Sequence, residues 1–240
     1  FPDGAHSDVL TAPLAGADSS NFSGGTATLS SVHVLAGMNT LSAQCINTGT
    51  GHLWFAKDGL SATSYAYDIY LYMTTRTGGN LYIGWAGASS SARSLGLQIG
   101  GSQNRVALAD STGQIWQSDG EAFPDNTWIR FSLFGTCDPA VGTGRVAWFA
   151  GHSTSPMGDS GLLTNLHTGA SIDRIRIGGK AASSGVTTGE VYIGSWAYDT
   201  VASDLIPPFG TPTPSGVWHQ RSGGGWSPVT AQRRDTGAWQ

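Results

Sequence analysis

Charge is scarce in this sequence. Asp, Glu, Lys and Arg together make up 12% of the residues, with a net charge of -4, where ordinary domains carry about a quarter. Nothing here forms the broad basic field that attracts nucleic acid or an acidic membrane surface, so neither is expected as a partner. No apolar run approaches membrane-spanning length. Glutamate is confined to Glu121 and Glu190, and cysteine to Cys45 and Cys137. Two cysteines are too few for a disulfide scaffold; a pair and two separate buried thiols both stay open. The six histidines (His6, His33, His52, His152, His167 and His219) are scattered, without metal-ligand spacing. A P-loop, a dinucleotide fingerprint, HExxH and Gly-x-Ser-x-Gly are all missing. Asp3 and Asp8 invite a calcium site, but the dense Asp/Asn loop that calcium needs is absent, so no cofactor or metal is expected. Long amphipathic helices with capping residues are missing as well. The chain begins at Phe1 rather than Met, which leaves an upstream segment open, and carries no signal-peptide pattern.

What the chain does have is glycine, aromatics and alternation. Gly 35, Trp 9 and Tyr 7 accompany a hydrophobic share of 39%, enough for a core and too much for disorder throughout. The stretch Ser171–Thr200 sets the pattern. Ile172–Ile177 and Glu190–Tyr198 read as strands, with Ile175 and Ile177 on one face and Arg174 and Arg176 on the other. In the second run Val191 and Ile193 oppose Tyr192, Trp196 and Tyr198. Such alternation is the mark of half-buried antiparallel strands.

Further strands are expected at Thr28–His33, Leu41–Asn47 and His52–Phe55, after an extended lead-in with a short edge strand at Asp8–Leu10. Tyr65–Thr75 is the strongest. Tyr65, Tyr67, Ile69, Leu71 and Met73 form its core face, while Ala66, Asp68, Tyr70, Tyr72 and Thr74 form its surface. In Leu81–Ala86, Leu81, Ile83 and Trp85 share a face, so two neighbouring strands would join Tyr70, Tyr72 and Trp85 in an aromatic patch. Ser94–Ile99 follows. Val106–Ala109 and Gln114–Gln117 form a hairpin around Asp110–Gly113. Trp128–Phe134 presents Ile129, Phe131 and Leu133 inward. Arg145–Ala150 and a short strand or helical turn at Leu162–Leu166 complete the set. The fold class is all-β, an antiparallel β-sandwich.

Pro207, Pro208, Pro212 and Pro214 cannot sit inside a sheet and mark a stiff linker. The sequence divides into a sandwich at 1–206, a Pro-rich linker at 207–216 and a Trp/Gly/Arg-rich tail at 217–240. Charge changes sign with it, from -6 over 1–210 to +2 over 211–240. Trp218, Arg221, Trp226, Arg233, Arg234 and Trp239 are the tail's candidate contact residues. A piece this short buries little surface alone. A partner protein, another copy, its own sandwich and a disordered tail all remain open.

LYIGWA, NRVALAD…GQIWQS, DNTWIRFSLF, RVAWFAG, IDRIRIGG and GEVYIGSWAYD, in that order over about residues 20–205, resemble the laminin-G-like or concanavalin-A-like lectin/glucanase jelly roll. VWHQRSGGGWSPVTAQRRDTGAW resembles the C-terminal extensions of structural proteins from phages of actinobacteria. The glucanases of the first group carry Glu-x-Asp-x-x-Glu, and neither Glu121 nor Glu190 sits in such an arrangement. The two resemblances together imply a non-enzymatic protein of a phage virion surface, whose partners are other virion proteins, further copies of itself and a host cell-wall glycan. A secreted bacterial carbohydrate-binding or adhesin module is the alternative, with a glycan hydrolase or lyase behind it. Sugar rings have apolar faces that aromatics cover, so the candidate carbohydrate-binding residues are Asp68, Tyr70, Tyr72 and Trp85, or Trp196 and Tyr198.

Overall fold

A computed structural model describes residues 18–21, 23, 25–35, 42–47, 52–74, 79–88, 93–100, 104–181, 189–206, 218–222 and 225–229. The expected edge strand at Asp8–Leu10 and the calcium candidates Asp3 and Asp8 lie outside these residues. The described chain contains strands and no helix. In order they are β1 (Ser19–Asn21), β2 (Gly25–Ser30), β3 (Ser42–Asn47), β4 (His52–Lys57), β5 (Ser64–Met73) and β6 (Leu81–Gly87). Next come β7 (Arg93–Gly100), β8 (Arg105–Asp110), β9 (Gly113–Gln117), β10 (Trp128–Thr136), β11 (Gly142–Ala150) and β12 (Gly158–Asp159). The last are β13 (Leu163–Leu166), β14 (Arg174–Ala181), β15 (Gly189–Asp199), β16 (Trp218–Ser222) and β17 (Gly225–Val229).

These strands build two sheets. The 7-stranded sheet runs β1-β4-β14-β6-β7-β8-β9. The 10-stranded sheet runs β12-β11-β10-β5-β15, with β3 and then β2 beyond one end of β15 and the β16–β17 hairpin beyond the other. Among the described residues the sandwich ladders are antiparallel, and the contact of β15 with β16, Tyr198 opposite Gln220, is parallel. The two sheets form an antiparallel β-sandwich, as the alternation predicts.

The core lies between the sheets. Tyr65, Tyr67, Ile69, Leu71 and Met73 of β5 and Ile129, Phe131 and Leu133 of β10 meet Leu81, Ile83, Leu95, Leu97, Ile99, Ile175 and Ile177 from the other sheet. Phe131 is fully buried and meets Phe123 edge-on, ring centroids 5.4 Å apart. The hairpin at Asp110–Gly113 forms as expected: the Asp110 carboxylate accepts from the Thr112 amide at 2.8 Å and its hydroxyl at 2.6 Å. These bonds, with others from neighbouring backbone amides, outweigh burial and hold the Asp110 carboxyl below its ordinary value. Cys45 and Cys137 are both free thiols, and burial pushes Cys45 up to about 12.

Two bulges change which way aromatic side chains point. In β6 the register shifts between Tyr82 and Gly84, which puts Gly84 as well as Ile83 on the core side. A methyl group on Gly84 would lie 2.6 Å from Tyr67 Oη, so only glycine lets Tyr67 close beneath it. Trp85 is thereby turned outward, and does not share the face of Leu81 and Ile83. In β15 the shift falls between Ile193 and Ser195. Trp196 therefore points into the core, and Tyr198 packs against it, where uninterrupted alternation predicts that both face outward.

Candidate functional site

The outward face of the 10-stranded sheet carries the site. Cross-strand register aligns Gln44 of β3 with Tyr192 of β15, Tyr192 with Tyr72 of β5, and Tyr72 with Trp128 of β10. Neighbouring strands lie about 4.8 Å apart, so the row is roughly 14 Å long. Each member is on the outer face because its neighbours in sequence are core residues: Leu71 and Met73, Val191 and Ile193, Ile129.

The row is held tightly. The Tyr72 and Trp128 rings are 5.7 Å apart, and Tyr72 meets Tyr192 edge-on at 6.0 Å. Trp128 lies over Gly194, where a methyl group would come within 2.8 Å of the indole. The Tyr192 hydroxyl donates to Glu190 Oε2 at 2.5 Å, and Gln44 Nε2 donates to the same oxygen at 3.2 Å. Burial and the bonded Glu190 carboxylate both push the Tyr192 phenol upward, so it stays protonated as a donor. The Glu190 backbone is fixed from both sides, its amide donating to Thr74 Oγ1 at 3.0 Å and its carbonyl accepting from the Thr74 amide at 3.1 Å.

His33 closes the row from above. The strand predicted through His33 stops at Ser30, and the chain bends back over the sheet. The Ser42 hydroxyl donates to the His33 carbonyl at 2.6 Å. The imidazole stacks on Tyr72 at 4.0 Å and 18°, and meets Tyr192 edge-on at 4.6 Å. Val32 and Val34, on either side, are exposed.

Asp68 and Tyr70 belong to the same face but not to its surface. Both are fully buried, which corrects the expectation that this side of β5 is open. Arg130 Nη1 pairs with Asp68 Oδ2 at 3.1 Å with both side chains inaccessible, and its guanidinium lies 3.9 Å from the Phe149 ring centroid. Burial pushes the Asp68 carboxyl up to about 7, against the pull of Arg130 and Ser132. The chain after β11 covers this region: Ser153 O accepts from Arg130 Nη2 at 3.5 Å, and the His152 ring lies 5.5 Å from Tyr70. Further along, Ala66, Phe134 and Ala197 are sealed by Ala202 and Ile206. The outer face is thus closed over the Asp68 end; at the row Gln44, Tyr72 and Trp128 are half-buried under His33, and Tyr192 between them is buried.

Trp85 stands on the opposite outer surface, because β5 and β6 are in different sheets. There Arg176 is held between two indoles, 4.3 Å from Trp85 and 4.5 Å from Trp54. The predicted Tyr70–Tyr72–Trp85 patch is therefore split by the thickness of the sandwich, and the predicted Trp196–Tyr198 alternative is inward. In the tail, Trp218, Arg221 and Trp226 fall in β16 and β17, with Arg221 opposite Trp226; Arg233, Arg234 and Trp239 lie outside the described residues. Among the described residues no group of His, Cys, Asp and Glu side chains could hold a metal ion, and no helix is long and apolar enough to cross a membrane.

No family model matches the chain, and no curated protein matches it. Among solved structures, the cellulose-induced protein Cip1 is similar with a TM-score of 0.54 at 14% identity, over 84% of this chain and 93% of that one. Lectin II from Ulex europaeus gives 0.41 at 11% identity, over 72% and 89%. The alginate lyase AlgAT5 of polysaccharide lyase family 7 gives 0.41 at 10% identity, over 82% and 83%. The likeness to the cellulose-induced protein supports the β-sandwich fold and, at such identity, speaks for the fold alone.

Proposed function

We propose that the protein is a non-catalytic glycan-contacting sandwich, displayed on the surface of a phage particle. The observation that supports glycan contact is the row Gln44–Tyr192–Tyr72–Trp128. It sets aromatic surface beside a fixed amide and carboxylate, the pairing that a sugar ring with its apolar face and hydroxyl rim calls for. Binding without turnover is favoured by the spacing of the acids. Glu190 stands at the row, while Asp68 is four residues along β5 from Tyr72, about 13 Å away and buried. Glycoside hydrolysis uses two carboxylates flanking one bond. Display on a particle rests on the sequence of the tail.

The test is a glycan array probed with the full chain. Binding is expected, and Tyr72→Ala or Trp128→Ala should abolish it while Trp85→Ala, on the other sheet, leaves it intact. Binding that survives in both row variants overturns the reading. Mass spectrometry of purified particles tests the location.

One observation favours a second reading. His33, Tyr72 and Tyr192 stand in ring contact, the base and acid types that elimination from a uronic acid chain employs. Release of unsaturated products from an anionic polysaccharide, lost in His33→Ala, would establish it over the first.

A further inference from the structure

We infer that the ligand of the Tyr72 row is an uncharged glycan chain, and that acidic polysaccharides are excluded; this rests on the reading of the row as a glycan contact. The argument is the charge on the face. A polyuronate or sulfated chain brings a carboxylate or sulfate with every repeat, and needs accessible cations to replace its lost hydration. The strands of this sheet supply Arg130 and Arg145 among the described residues, together with Arg221 of β16. Arg130 is fully buried against Asp68. Arg145 is forked between Asp159 at 2.5 Å and Asp204 at 2.9 Å. Arg221 is next to Gln220, which pairs with Tyr198 at the far end of β15. The strand bases Lys57, Arg93, Arg105, Arg174, Arg176 and Lys180 belong to the other sheet.

The row's own charge has the opposite sign. Glu190 presents a carboxylate whose Oε2 is bound by Tyr192 and Gln44, while Oε1 makes no hydrogen bond to the described residues. Oε1 accepts a hydroxyl proton from a neutral sugar, a charge-assisted bond. Against a uronate the same oxygen meets a like charge, which disfavours each contact about tenfold or more. The site therefore selects by what it repels as well as by what it stacks on.

The experiment titrates the full chain, by tryptophan fluorescence, with neutral galactan, arabinan and β-glucan and with alginate and polygalacturonate. A methyl-esterified polygalacturonate provides the same backbone with its charge removed. Saturable binding to at least one neutral polymer, lost in Tyr72→Ala, with none to the acidic chains, is the expected result. Glu190→Gln should raise affinity for polygalacturonate at least tenfold; no rise overturns the assignment of exclusion to Glu190. Tighter binding of acidic chains that is lost in Tyr72→Ala overturns the ligand class while leaving the glycan reading in place. Failure of every polymer, neutral and acidic, removes the glycan reading and this inference with it.

Discussion

His33 lies flat on Tyr72, the ring centroids 4.0 Å apart and the planes 18° from parallel. Because Tyr192 and Trp128 flank Tyr72 along the row, the ring face that His33 covers is the one a ligand would use. The first prediction follows from this. A sugar stacking on Tyr72 must displace the imidazole, at about 0.5–1.5 kcal/mol for an aromatic pair. His33→Ala removes that competition, so glycan affinity should rise about two- to tenfold while the melting temperature falls slightly. Weaker binding in His33→Ala would mean that the imidazole contacts the ligand itself.

A second prediction concerns the core. Phe131 is fully buried between the sheets against Phe123. Phe131→Ala should cost about 3–5 kcal/mol in chemical denaturation. Leu71, equally buried one strand away, should cost about 2–5 kcal/mol as Leu71→Ala. Loss of less than about 1 kcal/mol in either would contradict the inward face described above.

The same alternation that makes these core positions legible explains where sequence reasoning fails. β5 and β10 keep period two from end to end, so Ile69, Leu71, Phe131 and Leu133 are readable as core from the pattern alone. β6 shifts register at Gly84 and again between Ala86 and Gly87, and β15 shifts near Gly194; the aromatics beyond Gly84 and Gly194 change side. A glycine inside a strand pattern is itself a bulge signal, and it marks both places. The row Gln44–Tyr192–Tyr72–Trp128 was hidden for another reason. It is made by register among four strands far apart in sequence, which local pattern does not encode. His33 is hidden because the backbone leaves the sheet at Ser30, three residues earlier than its polar-apolar pattern implies. Glu190 was visible as the start of β15, but its bonds to Tyr192 and Gln44 needed the fold.

The buried pair gives a third prediction, about pH. Asp68 carries a folded-state value raised to about 7, against 3.8 ordinarily, mainly through burial. Between these two values the folded chain binds a proton at Asp68 that the unfolded chain has released. Stability from this group therefore rises as pH falls from about 7 to about 4, and is lost as pH rises through 7. The stability of the wild type minus that of Asp68→Asn should accordingly grow toward acid. A difference that is flat over that range, measured by denaturant titration at several pH values, contradicts the assignment.

A fourth prediction addresses the other surface. Arg176 stacks between Trp54 and Trp85, bridging β4, β14 and β6. Two such contacts at a half-exposed site are worth about 1–2 kcal/mol together. Arg176→Met keeps the stem and removes the charge, and should lower stability by that amount without changing glycan binding at the opposite sheet. A loss of glycan binding on Arg176→Met would connect the two surfaces and contradict the single-row site.

The last prediction separates the sandwich from its extension. Every core residue named above lies before residue 207, and the described contact of β16 with the sandwich is one register pair, Tyr198 with Gln220. The β16–β17 hairpin therefore has little share in holding the two sheets together. It carries Trp218, Arg221 and Trp226, residue types that commonly anchor interfaces, where a buried Trp contributes roughly 2 kcal/mol or more. We propose that the extension fixes the protein to its particle or joins copies to one another, leaving the Tyr72 row free for ligand. Deleting residues 211–240 should leave a folded sandwich that melts within a few degrees of the full chain and keeps its glycan affinity. The truncated protein should no longer be incorporated into particles or, for an oligomer, should sediment as a monomer. If it assembles as the full chain does, attachment belongs to the sandwich. If it fails to fold, the hairpin is part of the sandwich rather than an anchor.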